Sequence, residues 1–155
     1  MVINESQMQK AKGIRPLNLV ICPNTLIYQW HKEVEKFFSH VDFVSSVYDA
    51  STSQKVLQAV ARNEMDMIIT SYEKVRSDIE RLSQLKYFYI VLDEGHRIKN
   101  AKSKTTQAIK SLDGQRKLVL SGTPLQNKVS ELWSIFDFLM PSFLEEEKVF
   151  NQKYN

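Results

Sequence analysis

Residues 87 to 100 read Tyr87-Phe88-Tyr89-Ile90-Val91-Leu92-Asp93-Glu94-Gly95-His96-Arg97-Ile98-Lys99-Asn100, and further on comes Leu118-Val119-Leu120-Ser121-Gly122-Thr123-Pro124-Leu125-Gln126-Asn127. Each stretch reads as an apolar strand that ends in polar, chemically active groups. Unbroken apolar runs of this kind suit strands covered on both faces, as in a parallel sheet. The first run delivers Asp93 and Glu94 to the carboxyl end of its strand. There a nucleotide-hydrolysing α/β domain keeps a magnesium carboxylate and a water-activating carboxylate. In that reading Asp93 holds Mg2+ through water, and Glu94, one residue on and facing the other way, orients and deprotonates the attacking water. His96 stands beside them as a polar relay. Ser121, Gly122 and Thr123 close the second strand with two hydroxyls and a glycine that lets backbone approach closely. A carboxylate pair alone is as readily a loop opening, and Ser-Gly-Thr-Pro alone is a turn. Together they make a nucleotide-hydrolysing lobe the leading reading.

A missing element limits that reading. No Gly-x-x-x-x-Gly-Lys-Ser/Thr occurs, and the four glycines, Gly13, Gly95, Gly114 and Gly122, are too scattered to cradle a phosphate. These residues carry half of a nucleotide site.

At 155 residues and 43% hydrophobic, the chain suits one domain with a substantial core and is too short for a two-lobed motor. The net charge of +3 is only mildly basic, but it is unevenly spread. Arg97, Lys99, Lys102, Lys104, Lys110, Arg116 and Lys117 face the single acid Asp113, while Glu131, Asp137, Glu145, Glu146 and Glu147 face the single base Lys148. Taken alone, both blocks are solvated helix faces. The single cysteine, Cys22, excludes an internal disulfide, suits a reducing compartment and reads as a core thiol. Cys22, His31, His40 and His96 match no zinc spacing. No stretch reaches the ~18 apolar residues of a membrane span, and residues 1 to 16 are a short polar segment without an apolar signal core, so cytosol or nucleus is expected.

Apolar runs at Leu17 to Cys22, Phe43 to Tyr48, Met65 to Thr70, Tyr87 to Asp93 and Lys117 to Ser121 predict five strands. Helical spacing fills the gaps. Asn24 or Thr25 would cap a helix with Leu26, Trp30, Val34 and Phe37 on one stripe, and Ser51 or Ser53 would open a second over Val56, Leu57, Val60 and Ala61. Ser71 would begin a third over Tyr72, Val75, Ile79 and Leu82, and Ser103 a fourth over Ala108, Ile109 and Leu112. A further helix from about Val129 to Leu139 would stop before Pro141, and a last one would start near Glu145. Alternation at this pitch predicts an α/β fold, a mostly parallel sheet with helices on both faces.

Asp93-Glu94-Gly95-His96 with Ile98-Lys99-Asn100, then Leu120 to Asn127, then Glu131-Leu132-Trp133-Ser134-Ile135-Phe136-Asp137-Phe138-Leu139, resembles the first RecA-like lobe of the SWI/SNF-type helicase-like ATPases. Leu19-Val20-Ile21-Cys22-Pro23 with Trp30 resembles the family's motif Ia, and Ile69-Thr70-Ser71-Tyr72 its motif Ib. The likeness covers residues 17 to 155, a partial ATP-binding domain. Gly95 in place of the usual Ala, with Arg76, Asp78 and Phe138-Leu139-Met140-Pro141, is most similar to the subfamily that removes TATA-binding protein from DNA. The Cockayne-syndrome-type repair remodellers share Asp-Glu-Gly-His.

The resemblance implies a nuclear DNA translocase lobe that works with ATP, Mg2+, double-stranded DNA and a second RecA-like lobe, with TATA-binding protein as the client suggested by subfamily likeness. Asp93 is then the magnesium residue, Glu94 the general base, and His96, Ser121, Gly122 and Thr123 the coupling groups. Pro23, Asn24, Thr25, Ser71 and Tyr72 would touch backbone phosphates, as would Lys99 and Asn100, without reading bases. Trp30, Trp133 and Phe136 read as core.

The family's phosphate loop belongs upstream of Leu17, where sixteen residues stand. The expectation is therefore no ATP turnover by this chain alone, and an apolar sheet edge beside Lys117 to Ser121 that makes it aggregation-prone. The alternatives are a truncated product that binds DNA or a partner without hydrolysis, and an RNA-helicase lobe. The latter typically shows Ser-Ala-Thr where Ser121-Gly122-Thr123 stand.

Overall fold

The computed structural model describes residues 1 to 122 and 129 to 154. Five strands, β1 (Asn18–Cys22), β2 (Ser45–Val47), β3 (Met67–Ser71), β4 (Lys86–Leu92) and β5 (Asp113–Val119), form one sheet in the order β2-β3-β1-β4-β5. Every neighbouring pair is parallel. The strands β1 and β3 are buried along their whole length, which is why their sequences are continuous apolar runs rather than alternating ones.

Eight helices are described: α1 (Val2–Ala11), α2 (Ile27–Phe38), α3 (Ser53–Ala61), α4 (Tyr72–Ser77), α5 (Ile79–Leu82), α6 (Lys104–Lys110), α7 (Val129–Leu139) and α8 (Glu147–Tyr154). Successive residues of β1 feed two cores. Leu19 and Ile21 join Val56, Val75, Leu82, Ile109, Ile135 and Phe138 on one face. Val20 and Cys22 join Ile3, Ile27 and Val34 on the other.

Ser71 and Ser103 open their helices by accepting from the Lys74 and Thr106 backbone N–H groups. Four details differ from the sequence expectation. The outer strand, expected at Lys117 to Ser121, is Asp113–Val119, its polar first half being held by the ladder to β4 rather than by an apolar pattern. The residues Asn24–Leu26 form a 3-10 turn, and α2 then starts at Ile27 without a side-chain cap, so its inward stripe is Ile27, Trp30, Val34 and Phe38 while Phe37 is exposed. The helix expected from Ser71 is broken at Asp78, which leaves the helical region (φ −112°, ψ 23°) to bond the Tyr48 hydroxyl and the Lys74 ammonium.

Residues 2 to 11 form the last difference, a helix in a segment read only as short and polar. Polar bonds hold it. Asn18 Nδ2 donates to Ser6 Oγ at 2.9 Å, Tyr89 OH donates to Glu5 Oε2 at 2.8 Å, and Arg116 pairs with Glu5. Lys10 and Arg15 both reach the carboxylate of Asp66, each at 2.9 Å.

The outer strand β5 pairs only with β4. Its first half is guarded by exposed Asp113, Gln115 and Arg116, whereas Leu118, Val119 and Leu120 are partly open.

Candidate active site at the carboxyl edge of the sheet

Because all the strands run the same way, Cys22, Ser71, Leu92 and Val119 end on one edge, as the registers Cys22↔Ser71, Ile21↔Leu92 and Leu92↔Val119 show. That edge carries Pro23, Ser71, Asp93 and Ser121, which end or closely follow four of its strands. Leu120 N–H donates to the Leu92 carbonyl at 2.8 Å, and Gly95 N–H donates back to the Leu120 carbonyl at 2.9 Å, so the segments after β4 and β5 are laced together. Gly95 is required there. A Cβ at that position would fall 2.2 Å from Val119 Cγ1, far inside contact distance.

Asp93 has a partner at each of its four polar atoms. Its N–H donates to the Ile21 carbonyl at 2.8 Å, and its own carbonyl accepts from Tyr72 OH at 2.6 Å. Oδ1 accepts from Glu94 N–H at 3.0 Å, and Oδ2 accepts from Trp30 Nε1–H at 2.9 Å. All the donors to the carboxylate are neutral, and no lysine, arginine or histidine lies within ion-pair distance of it among the described residues. Its charge is felt locally: burial first, and the nearby Asp93 second, push the Cys22 thiol up to about 12. Burial, with Asp93 contributing, also raises the Tyr72 phenol, against the opposing pull of Arg97.

Glu94 adopts the left-handed conformation at φ 53°, ψ 50°, which is uncommon for a residue with a Cβ. Its Oε2 lies 3.2 Å from His96 Nδ1 without hydrogen-bond alignment, and neither of these buried atoms has another partner among the described residues. A side chain at Gly122 would begin 3.9 Å from Glu94 Oε1, so the backbone after β5 faces this carboxylate. Ser121 is exposed at the same edge. Thr123 lies outside the described residues.

The groups expected at DNA divide in two. Asn24, Thr25, Lys99 and Asn100 are exposed and Pro23 is partly so. Lys99 pairs with Glu131 at 3.3 Å, and Asn100 Oδ1 accepts from Lys102 N–H at 3.1 Å. Ser71 and Tyr72 are turned inward. Tyr72 is 1% exposed, and its hydroxyl donates to the Asp93 carbonyl, a bond that holds the carboxylate loop. Ser71 is 5% exposed and spends its hydroxyl on the cap of α4. The basic block is also partly consumed, since Arg97, Lys99, Lys110 and Arg116 are paired with Glu73, Glu131, Asp137 and Glu5.

Sequence reasoning assigned Trp30 to the core and missed its bond to Asp93. An open cleft of about 270 Å³ beside that bond is lined by Leu26, Gln29, Trp30, Glu33 and Asp93.

The SNF2-related domain model matches residues 2 to 155. The chain belongs to the SNF2-related domain family. It is 46% identical over 137 residues to TATA-binding protein-associated factor BTAF1 of Arabidopsis thaliana and 42% identical over 137 residues to TATA-binding protein-associated factor 172 of Homo sapiens. Each comparison covers 88% of this chain and 7% of the relative, so the chain spans a small fraction of their length. Among solved structures it superposes on the Sulfolobus solfataricus SWI2/SNF2 ATPase core in complex with dsDNA with a TM-score of 0.79 and 34% identity, covering 96% of this chain and 30% of that one. The SNF2-related lobe is thus an α/β domain of the RecA-like kind, as its strand pattern predicted. The same match extends over α1, which the sequence had set apart.

Proposed function

We propose that this SNF2-related lobe is one half of an ATP-driven, double-stranded-DNA translocase that displaces proteins from DNA, with TATA-binding protein as its client and the nucleus as its place of work. The observation that carries the proposal is the end of β4. There, among the described residues, Asp93 is oriented by neutral donors with no cation paired to it, one residue before Glu94 in its left-handed turn.

The donor set fits magnesium. Mg2+ is commonly held by one or two carboxylates together with waters and substrate phosphates rather than by a protein cage. Among the described residues no group of three or more His, Cys, Asp or Glu side chains could hold a metal ion, so an ion here would depend on Asp93 together with waters and phosphate. Asp93 would hold the ion, which when bound neutralises phosphate charge. Glu94 would take the proton of a water, with His96 placed to receive or orient that carboxylate. The 155 residues contain no phosphate loop, so they do not by themselves fit an anchored ATP. DNA backbone contacts are assigned to Asn24, Thr25, Lys99 and Asn100, with the backbone of Pro23 and Ser71.

The test is phosphate release with and without duplex DNA, in the complete polypeptide that carries this lobe and in the 155-residue chain. The complete protein is expected to turn over ATP with duplex DNA preferred to RNA, and Glu94→Gln to abolish turnover. The chain alone is expected to be inactive. DNA affinity that ignores both ATP and Glu94→Gln in the complete protein would instead favour a binding module.

A further inference from the structure

We infer that Trp30 is a positioning residue for the carboxylate of Asp93, setting the direction in which that group can take a metal ion. The inference rests on the reading of Asp93 as the magnesium residue. Trp30 lies on α2, 63 positions before Asp93, and its Nε1–H donates to Oδ2 at 2.9 Å while Glu94 N–H donates to Oδ1 at 3.0 Å.

A carboxylate is free to rotate about its Cβ–Cγ bond unless both oxygens are engaged. Here one N–H holds each oxygen, so the plane is fixed and one further acceptor direction on each oxygen stays open. An indole is suited to this task for three reasons. It has a single donor and no acceptor, so it cannot reverse its role as an amide or hydroxyl can. It is neutral, so it orients the carboxylate without cancelling the charge a cation needs. It is also rigid and packed, lying with Leu26 and Phe38 against the buried cluster of Val20, Ile27 and Val34. Asp93 and Trp30 both line the 270 Å³ cleft, so the held carboxylate borders open space. A tryptophan serving only as core would have no need to place its one polar atom on a carboxylate.

The second tryptophan supplies an internal control. Trp133 Nε1–H donates to a backbone carbonyl, that of Glu145, at 2.9 Å and not to a carboxylate. In a ¹⁵N-labelled chain titrated with Mg2+, the Trp30 indole resonance is expected to move and that of Trp133 to stay. With Mn2+ in place of Mg2+, the Trp30 signal should broaden first.

Mn2+ affinity measured by water-proton relaxation is expected to fall about tenfold in Trp30→Phe, the scale seen when a residue orienting a metal ligand is removed. In Asp93→Asn it should be lost. A Trp30→Phe chain that binds Mn2+ as wild type does, while Asp93→Asn does not, would overturn the positioning role and leave the metal reading standing. Unchanged Mn2+ binding in Asp93→Asn would overturn both. If Trp30→Phe fails to fold, the wild-type titration decides: a Trp30 resonance indifferent to saturating metal refutes the inference.

Discussion

Asp66, just before β3, and Asp93, just after β4, lie at opposite edges of one sheet, and their surroundings differ in kind. Asp66 is 0% exposed and is met by Lys10 Nζ, by Arg15 through both Nε and Nη2, and by the Val44 N–H at 2.7 Å. Two cations consume its charge. Among the described residues the Asp93 carboxylate is met only by an indole and a backbone N–H. The first arrangement is a clamp, because a buried carboxylate saturated by cations has nothing left to offer a ligand. The second fixes direction and leaves charge, which is what a metal-holding group requires.

The largest effect should come from breaking the clamp. Asp66→Ala would strand Lys10 and Arg15, whose side chains are 15% and 22% exposed, and release α1 from the sheet. The expected cost is about 3 kcal/mol, read as a lower urea midpoint. A cost below about 1 kcal/mol would mean that the clamp is solvated and the contrast with Asp93 is false.

Gly95→Ala should come next, at about 2 kcal/mol, because the new methyl meets Val119. The double variant with Val119→Ala should recover most of the loss. Failure to recover would show that the lacing of the β4 and β5 ends depends on something other than that contact.

A smaller effect lies in alkali. Burial, then Asp93, raises the Cys22 thiol from 9.0 to about 12, while burial, then the hydrogen bond to Asp78, raises the Tyr48 phenol from 10.0 to about 12. A raised folded value favours the neutral form. The stability these groups contribute is therefore complete below about pH 9 and is lost as pH climbs towards about 12, at no more than about 1.4 kcal/mol per pH unit for each group. In Cys22→Ala the decline should begin later, near the unfolded phenol value of about 10. An unchanged onset in urea midpoints across that range would remove the thiol from the account.

Smallest is the stability change in Asp93→Asn, expected within about 1 kcal/mol because the amide oxygen can keep one of the two N–H bonds. Cys22 should then titrate somewhat lower, since the lesser of its two causes, the Asp93 charge, is gone while burial remains. A large destabilisation would make Asp93 structural, like Asp66.

Most of the fold could be read from the sequence because β1, β3 and β4 carry nearly continuous apolar runs and α7 has clear ends at Val129 and before Pro141, whereas the polar first half of β5, Asp113 to Arg116, gave no strand signal. The carboxylate edge was readable for the same reason, since Asp93 and Glu94 simply follow β4. The supports of Asp93 were not. Trp30 and Tyr72 lie 63 and 21 positions away, and an indole N–H or a phenol on an apolar helix face looks identical to core. Helix α1 was unreadable because polar bonds to Asn18, Asp66 and Tyr89, rather than an apolar stripe, bind it to the sheet. The left-handed turn at Glu94 left no trace, since glutamate has no special liking for it.

The position of β1 also matters while the chain is being made. It is the central strand, yet its partners are β3 and β4, both of which are synthesised long after it. Until they emerge from the ribosome, Leu19-Val20-Ile21-Cys22 is an apolar segment with unpaired backbone on both sides. Sheets of such long-range parallel pairings form slowly. A nascent chain paused anywhere before β4 would therefore present its stickiest strand to whatever chaperone or neighbour is at hand, and completion of Asp93's strand is also the moment at which that exposure ends.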